Sequence, residues 1–395
     1  MLIGLVGKPN IGKSTFFRAA TLAPAQTGNY PFVTIKPNFG KAMVRVKQGS
    51  LEFNKQDNPK EGYTKGEWRF VPVDIMDVAG LVPGAHEGLG MGNAFLDDLR
   101  QADVLIHVID CSGSTNEKGE PVTPGSYDPL QDIAFLEKEL DYWYLGILKK
   151  GWEKFARTLQ QTHAPIAVAL AKQLSGLGVT EHMVQHVIEP LQDIAVTQWS
   201  EDQLLKIAQQ LRKKTKPIVI AANKVDMPQA QQNVMRIKQE CPHYTIIGCS
   251  AESEIALREA HKHGFIDYTP GDHDFSVLKP LSEKQEKALD FMRQTVLLPY
   301  ESTGIQAILD HAVFNVLEYI ALFPGGSTKL EDSQGRVLPD CFLMPKHTTA
   351  IDFAFKLHTD FGTHFIKAID VRKKIPVGKD HVLHHRDIIE IMSNS

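Results

Sequence analysis

The sequence predicts an α/β protein with a doubly wound, mostly parallel sheet, an inserted helical domain and a small strand-rich unit at the carboxyl end. Three observations predict this. Short apolar runs read as buried strands, each ending in polar or glycine residues. About a hundred residues with helical periodicity separate the third run from the fourth, too many for one crossover helix. Short runs that read as strands recur after residue 340, at 341–344, 364–370 and 387–391. The predicted core strands are residues 2–6, 70–76, 103–110, 217–222 and 244–249.

Composition limits the classes of protein that the chain can belong to. At 395 residues and 43% hydrophobic, it can bury a large core, and we expect two or three domains. The net charge of −4 excludes a globally basic nucleic-acid coat protein. The four cysteines form no C-x-x-C pair, which favours a reducing compartment. No apolar stretch has the length of a membrane span and the first predicted strand starts at the amino end, so we expect a cytoplasmic protein with no membrane partner.

The strongest motif lies between the first predicted strand and a predicted helix. Residues 7–14 read GKPNIGKS and match the glycine-rich loop that wraps nucleotide phosphates. Backbone N–H groups and the start of the helix would hold a polyphosphate. Lys13 would reach the β- and γ-phosphates, and the Ser14 hydroxyl would ligate Mg²⁺. A chance glycine turn is the alternative, and the flanking strand and helix argue against it. The predicted binding residues here are Gly7, Lys8, Pro9, Asn10, Ile11, Gly12, Lys13, Ser14 and Thr15.

The second predicted strand runs into Asp77-Val78-Ala79-Gly80, a D-x-x-G motif. Beside a phosphate loop, Asp77 would hold the metal through water, and Gly80 would offer its N–H to the γ-phosphate. Thr34, in the preceding loop, would complete the Mg²⁺ shell with its hydroxyl when the γ-phosphate is present. Without a neighbouring phosphate loop, the D-x-x-G motif and the loop containing Thr34 would each indicate only a turn. The predicted metal ligands are therefore Ser14, Thr34 and Asp77.

A base-reading tetrapeptide follows the fourth predicted strand. Residues 223–226 read NKVD and match N-K-x-D, in which the Asp226 carboxylate accepts two hydrogen bonds from guanine. Adenine lacks that pair of donors, and a buried unpaired carboxylate is costly, so the motif selects GTP. The Lys224 stem would lie along the ring and Asn223 would brace the loop. After the fifth strand, Ser250 and Ala251 would offer a backbone N–H to the guanine keto oxygen.

Together these segments resemble the Obg-like GTPases, most closely the YchF subfamily. The resemblance rests on GKPNIGKST, on NYPF-x-T-I-x-PN, on DVAGLVPGA with GLGMGNAFL, and on the tail TAIDFAFKLHTDFGTHFIKAID. It covers almost the whole chain. It implies a P-loop GTPase core, a helical insertion, a TGS domain of the β-grasp fold, and a role near ribosomes or structured RNA. Many YchF members end the base-reading motif in Glu and prefer ATP, whereas this chain keeps Asp226, so we predict GTP over ATP.

Two hypotheses concern the route of hydrolysis. Leu81 follows the D-x-x-G motif, where Ras-like enzymes place a water-orienting glutamine, so hydrolysis must be organised differently and we expect slow turnover. One hypothesis gives Asn10 a role in seating K⁺ against the phosphates. Another gives His86 a role in positioning water. The predicted catalytic residues are Lys13, Thr34, Gly80 and Asn10.

The predicted domain order is a split core with one insertion and two extensions. Residues 1–111 and 215–265 form the core, 112–214 the helical insertion, 266–327 a helical extension and 328–395 the TGS-like domain. We expect a monomer that binds GTP and GDP and contacts the ribosome or structured RNA through the insertion and the tail. The main prediction is a Mg²⁺-dependent GTP-hydrolysing switch. The alternatives are a nucleotide-gated scaffold with negligible hydrolysis and an ATP-preferring enzyme of the same family.

Overall fold

A computed structural model describes residues 1–21, 37–78, 80, 84 and 96–394. The chain divides into two compact units. The first unit contains residues 1–40 and 74–308, and the second contains residues 41–73 and 309–395.

The larger sheet brings the carboxyl ends of its parallel strands to one edge. Its strand order is β2-β4-β1-β5-β6-β7, with β3 paired antiparallel to β4. The neighbours from β4 to β7 along this order are all parallel, which confirms the predicted mostly parallel sheet. Ligand sites of open parallel sheets form at this edge. The strands are β1 (Leu2–Val6), β2 (Asn38–Lys47), β3 (Tyr63–Lys65), β4 (Trp68–Asp77), β5 (Val104–Asp110), β6 (Ile218–Asn223) and β7 (Thr245–Gly248).

Helices of the first unit follow the predicted periodic segments with one correction. The periodic segment from 130 to 159 forms two helices rather than one, because Lys150 is extended and Gly151 has φ +73°. A capping box between Ser200 and Gln203 starts the last helix of the insertion. The helices up to the end of the core are α1 (Lys13–Thr21), α2 (Leu130–Lys149), α3 (Trp152–Thr162), α4 (Ile166–Gln173), α5 (Glu181–Ile188), α6 (Glu201–Thr215), α7 (Ala230–Glu240) and α8 (Ala251–Lys262).

The inserted helices and the larger sheet share one apolar core. α2 packs along α6, and Leu136, Leu140 and Tyr144 of α2 are buried in this core. The buried Arg212 on α6 donates from Nε to Asp141 on α2 at 2.9 Å, so the charge inside this core is paired. The insertion is therefore a set of packed helices rather than an extended loop.

Beyond α8 the first unit continues through a short hairpin and a helix. The hairpin is formed by β8 (Ile266–Asp267) and β9 (Ser276–Val277). Helix α9 (Glu283–Met292) passes into a π-helical stretch, Arg293–Leu297. After a short helical turn at Leu298–Tyr300, helix α10 (Ile305–Asp310) passes into a second π-helical stretch, His311–Val316, and Glu318 with φ +51° ends the segment.

A second, five-stranded sheet with order β11-β10-β14-β12-β13 lies in the second unit. The predicted domain boundary after residue 327 leaves β10 outside this sheet, whereas in the structure β10 pairs with β11 and β14. Pro324-Gly325-Gly326 lies at the end of a strand, where Gly325 N–H donates to Ile389 O at 3.2 Å. The elements are β10 (Tyr319–Pro324), β11 (Phe342–Pro345), α11 (Ala350–Leu357), α12 (Thr359–Thr363), β12 (Phe365–Asp370), β13 (Ile375–Val377) and β14 (Ile388–Ser393).

The length and hydropathy of the helices bear on whether any of them could span a membrane. None of those in the described residues is both long enough and apolar enough to cross a bilayer.

Candidate nucleotide site

The phosphate-loop motif lies between β1 and α1, as the sequence predicts. Gly12 has φ +92°, and a Cβ at this position would collide with the Asn223 amide, so only glycine fits there. The Gly12 carbonyl accepts the N–H of Phe16 at 2.8 Å and so closes the first turn of α1. The amides at the start of α1 therefore face the concavity of the loop, where an anion would be stabilised.

Three predicted residues of the phosphate and metal site meet beside this loop. The Lys13 ammonium donates to Asp77 Oδ1 and to the Val78 carbonyl. The Ser14 hydroxyl donates to Asp77 Oδ2 at 3.1 Å. A hydroxyl and a carboxylate this close supply the hard oxygen ligands that Mg²⁺ prefers, so the residues present fit this ion. No group of three or more His, Cys, Asp or Glu side chains in the described residues is arranged to hold a metal.

Asn223 joins the phosphate half of the site to the base half. Its amide nitrogen donates to Ile11 O at 3.0 Å, and its amide oxygen accepts the N–H of Ala251 at 3.2 Å. One side chain at the end of β6 thus holds the phosphate loop and the start of α8. This is the bracing role that the sequence predicts for the first residue of N-K-x-D.

The remaining predicted base-reading residues, Lys224 and Asp226, follow directly after Asn223. Lys224 has φ +65°, and its ammonium donates to Asp110 Oδ2 at 2.9 Å. Asp226 is half-buried. Burial, and then the charge of Asp226, raises the pKa of Cys249, which places this carboxylate near the end of β7.

Asp110 is a buried residue of the site that the sequence analysis did not identify. It ends β5 and accepts hydrogen bonds from Ser112, Ser114 and Thr115 in addition to Lys224. Burial alone would raise the pKa of Asp110, but the hydrogen bonds from Ser112, Lys224 and Ser114 bring it below its usual value. The residue is a fixed negative charge that orients Lys224. Its position at a strand's carboxyl end was the available signal.

The Ser250-Ala251 pair lies at the base end of the site with both backbone N–H groups engaged. Ser250 N–H donates to Thr303 O at 2.9 Å, and Ala251 N–H donates to Asn223 Oδ1. The Ser250 side chain caps α8 through the N–H of Ser253. A guanine oxygen would have to share one of these donors, so their contact with the base remains a prediction.

Residues at the apex of the phosphate loop contact a loop that the sequence left without a role. Lys8 donates to Thr115 O at 3.0 Å and to Asp132 Oδ1 at 2.9 Å, and its ammonium lies 3.8 Å from the centre of the Tyr127 ring. Asn10 donates from its amide nitrogen to Gly119 O at 2.9 Å. Residues 112–127, which we call the bridging loop, therefore cross the phosphate loop.

Gly80 and Thr34 are two further predicted site residues, and only Gly80 lies in the described part of the chain. Gly80 lies against the phosphate loop, since a Cβ there would come within 2.8 Å of the Pro9 ring. Thr34 lies outside the described residues, as do Leu81 and His86.

Family profiles match three segments of the chain. Residues 2–141 match a profile described as 50S ribosome-binding GTPase. Residues 221–325 match the G4 motif-containing domain of the Obg-like GTPase YGR210-like profile, and residues 322–393 match the TGS domain.

Relatives and solved structures cover the chain from end to end. A GTP-binding protein of Methanocaldococcus jannaschii is 46% identical over 99% of both chains. The ribosome-binding ATPase YchF of Bacillus subtilis is 32% identical over 66% of this chain and 68% of its own. A crystal structure of a GTP-binding protein from Pyrococcus horikoshii matches all of both chains with a TM-score of 0.78 and 38% identity. The YchF GTPase of Schizosaccharomyces pombe, at 21% identity and a TM-score of 0.55, shares the fold over 99% of this chain and 97% of its own.

The fold and the site together define a P-loop GTPase with a TGS domain. More particularly, the chain belongs to the YchF and Obg-like family of GTP-binding proteins. The resemblance found in the motifs is thereby confirmed.

Proposed function

We propose that the protein binds Mg²⁺·GTP at this site and hydrolyses its β–γ phosphoanhydride as a molecular switch. The observation that carries the proposal is the meeting of Lys13, Ser14 and Asp77 beside a loop that Asn223 ties to the base-reading segment. One cleft then has a phosphate end and a guanine end. Lys13 would leave Asp77 and Val78 for the β- and γ-phosphates. Ser14 would hold Mg²⁺ directly and Asp77 through water, with Thr34 as a further proposed ligand; the bound ion would neutralise charge on the phosphates.

Hydrolysis is tested by single-turnover release of phosphate from γ-labelled GTP. We expect slow turnover in the native chain and a loss of at least about 100-fold in Lys13→Met, because the variant lacks the cation that faces the γ-phosphate. Native turnover no faster than in Lys13→Met, with GTP still bound, would favour the nucleotide-gated scaffold instead.

A dependence on K⁺ is a separate proposal about Asn10. Its amide nitrogen donates to Gly119 O, so any ion would be ligated through the amide oxygen. We expect faster turnover in potassium than in sodium buffer. Equal turnover in the two would remove Asn10 from the catalytic residues.

The proposed partner is the ribosome or structured RNA, met by a monomer in the cytoplasm. Support comes from the matching profile, described as 50S ribosome-binding GTPase, and from the name of the Bacillus relative. The test is nucleotide-dependent pelleting of the full chain with ribosomal subunits. Pelleting with the GTP form and not with GDP is expected, and no pelleting in any nucleotide state would contradict this partner.

A further inference from the structure

Helix α2 of the insertion presents two buried carboxylates to loops of the nucleotide site. Asp132 accepts a hydrogen bond from Lys8 of the phosphate loop at 2.9 Å. Glu139 accepts the N–H of Gly84, four residues beyond Gly80, at 2.9 Å. Residues seven apart lie on the same face of a helix, two turns from each other. A single face of α2 therefore contacts both segments that are expected to approach the phosphates.

The contact between Lys8 and Asp132 is buried on both sides. The two side chains are 2% and 5% exposed. Asp132 Oδ1 also accepts the Tyr127 hydroxyl at 2.9 Å, whereas Oδ2 finds no hydrogen-bond partner in the described part of the chain. A buried carboxylate with this environment depends on its cation, because losing one partner of a buried pair leaves an uncompensated charge. The position of Asp132 is thus tied to the position of the phosphate loop.

The opposite side of α2 is connected to α6 and to Tyr244. Asp141 accepts from Arg212 on α6 at 2.9 Å, and Glu137 accepts from the Tyr244 hydroxyl and from Arg212. Two packed helices joined through the buried Arg212 move as a rigid element rather than residue by residue. A change at the first turn of α2 would therefore reach α6.

We propose that Lys8 and Asp132 are positioning residues that couple the phosphate loop to the helical insertion, so that nucleotide binding and the stability of α2 are linked. The proposal rests on the proposed nucleotide site. Linkage is reciprocal: if bound nucleotide stabilises α2, then loosening α2 weakens nucleotide binding by the same factor.

The test is hydrogen exchange of residues 130–141 in the full chain, with and without a saturating, non-hydrolysable GTP analogue and Mg²⁺. In the native chain we expect nucleotide to slow exchange of these amides at least about fivefold. In Asp132→Asn and Lys8→Met, each measured with nucleotide occupancy checked by equilibrium dialysis, we expect that slowing to be lost. The double variant should weaken nucleotide binding no more than the worse single variant, since the two residues act as one unit.

A matched control is available at the same end of α2. Arg236 donates to Asp128 at 2.6 Å, and this pair is about 39% exposed on each side. Arg236→Met should keep the nucleotide-dependent slowing. Two results would overturn the coupling. One is that nucleotide-bound Asp132→Asn and Lys8→Met show the same slowing of exchange as the native chain. The other is that nucleotide does not change exchange of α2 in the native chain. Failure of the native chain to bind any nucleotide would instead defeat the proposed function itself.

Discussion

Asn223 shows how much of the site depends on a single side chain. With both ends of its amide engaged, it holds the phosphate loop at Ile11 and the start of α8 at Ala251. Neighbouring Lys224 is fixed by Asp110. Asp226, which we propose reads the base, therefore follows a turn that these contacts hold in place.

Asp226→Asn should change base selectivity rather than abolish binding. Guanine presents two donors at this edge, and an amide can accept only one of them, whereas xanthine replaces the amino group with a carbonyl that an amide can donate to. We expect affinity for GTP to fall about 100-fold and affinity for XTP to rise, because an unmatched buried polar group is costly. Calorimetric titration with both nucleotides measures this, with Asp290→Asn on the exposed face of α9 as control. An unchanged ratio of the two affinities would contradict the assigned role.

His107 in the centre of β5 predicts how stability depends on pH. Burial, together with the charge of Lys8, lowers the pKa of His107 from 6.5 to about 3. The unfolded chain takes up this proton below pH 6.5 and the folded chain does not, so stability is full above pH 6.5 and falls as pH drops towards 3. From pH 7 to pH 4 the loss from this residue is about 3 kcal/mol.

His107→Leu should remove most of that loss, because leucine has no proton to bind. The measurement is the free energy of unfolding by urea between pH 4 and pH 7. The exposed His182 on α5 provides the control, and His182→Leu should retain the native acid dependence. A native slope in His107→Leu would mean that the histidine is not the group responsible.

Among the elements, the bridging loop has the largest unanticipated role. The motifs predicted a site at the ends of β1, β4, β6 and β7, because each motif follows an apolar run of strand length. Lys13, Ser14, Asp77 and Asn223 could be placed in this way. The contacts of Lys8 and Asn10 could not, since they join residues more than a hundred positions apart, and a loop carries no periodicity that indicates its partner.

Gly119→Ala tests the contact between this loop and the phosphate loop. Gly119 has φ +79°, and an added Cβ would lie 2.5 Å from Pro9 O. We expect an affinity for GTP at least about tenfold lower and a loss of about 1–3 kcal/mol of stability, since both the backbone angle and the clash oppose alanine.

Gly125→Ala is the matched control in the same loop. Gly125 has φ +82°, but its added Cβ would meet only the Gln229 side chain, at an ordinary 3.5 Å. Gly125→Ala should lose stability because of its positive φ, but it should bind GTP with native affinity. Equal weakening of GTP binding in both variants would contradict a specific contact at Pro9.

Each of the two compact units of the molecule is formed by two segments that are not consecutive in the sequence. Residues 41–73 belong with residues 309–395. Within this second unit, Arg69 is buried and donates to Asp57 at 3.3 Å, to Leu338 O, and to Pro339 O at 2.8 Å. Neither Arg69 nor Asp57 lies in a recognisable motif, so the sequence could not indicate that these segments pack together. A truncation of residues 328–395 would leave this arginine without its carbonyl partners.

Arg69→Met should destabilise the second unit without affecting the nucleotide site. Removing one partner of a buried pair costs about 3–5 kcal/mol, because Asp57 loses its cation. Chemical denaturation measures the loss, and affinity for GTP should be unchanged. Lys55→Met is the control, since Lys55 pairs with Glu331 between the same two segments but is 41% exposed, and should cost no more than about 1 kcal/mol. Similar losses in the two variants would argue against the importance of the buried pair.

We propose that one cleft at the edge of the parallel sheet seats Mg²⁺·GTP and rejects adenine nucleotides. Competition of Mg²⁺·ATP against labelled Mg²⁺·GTP on the full chain tests it most directly. We predict that GTP binds at least about 100-fold more tightly, because Asp226 would be left unpaired by adenine. Comparable affinities for the two nucleotides, or no binding of GTP, would contradict the account.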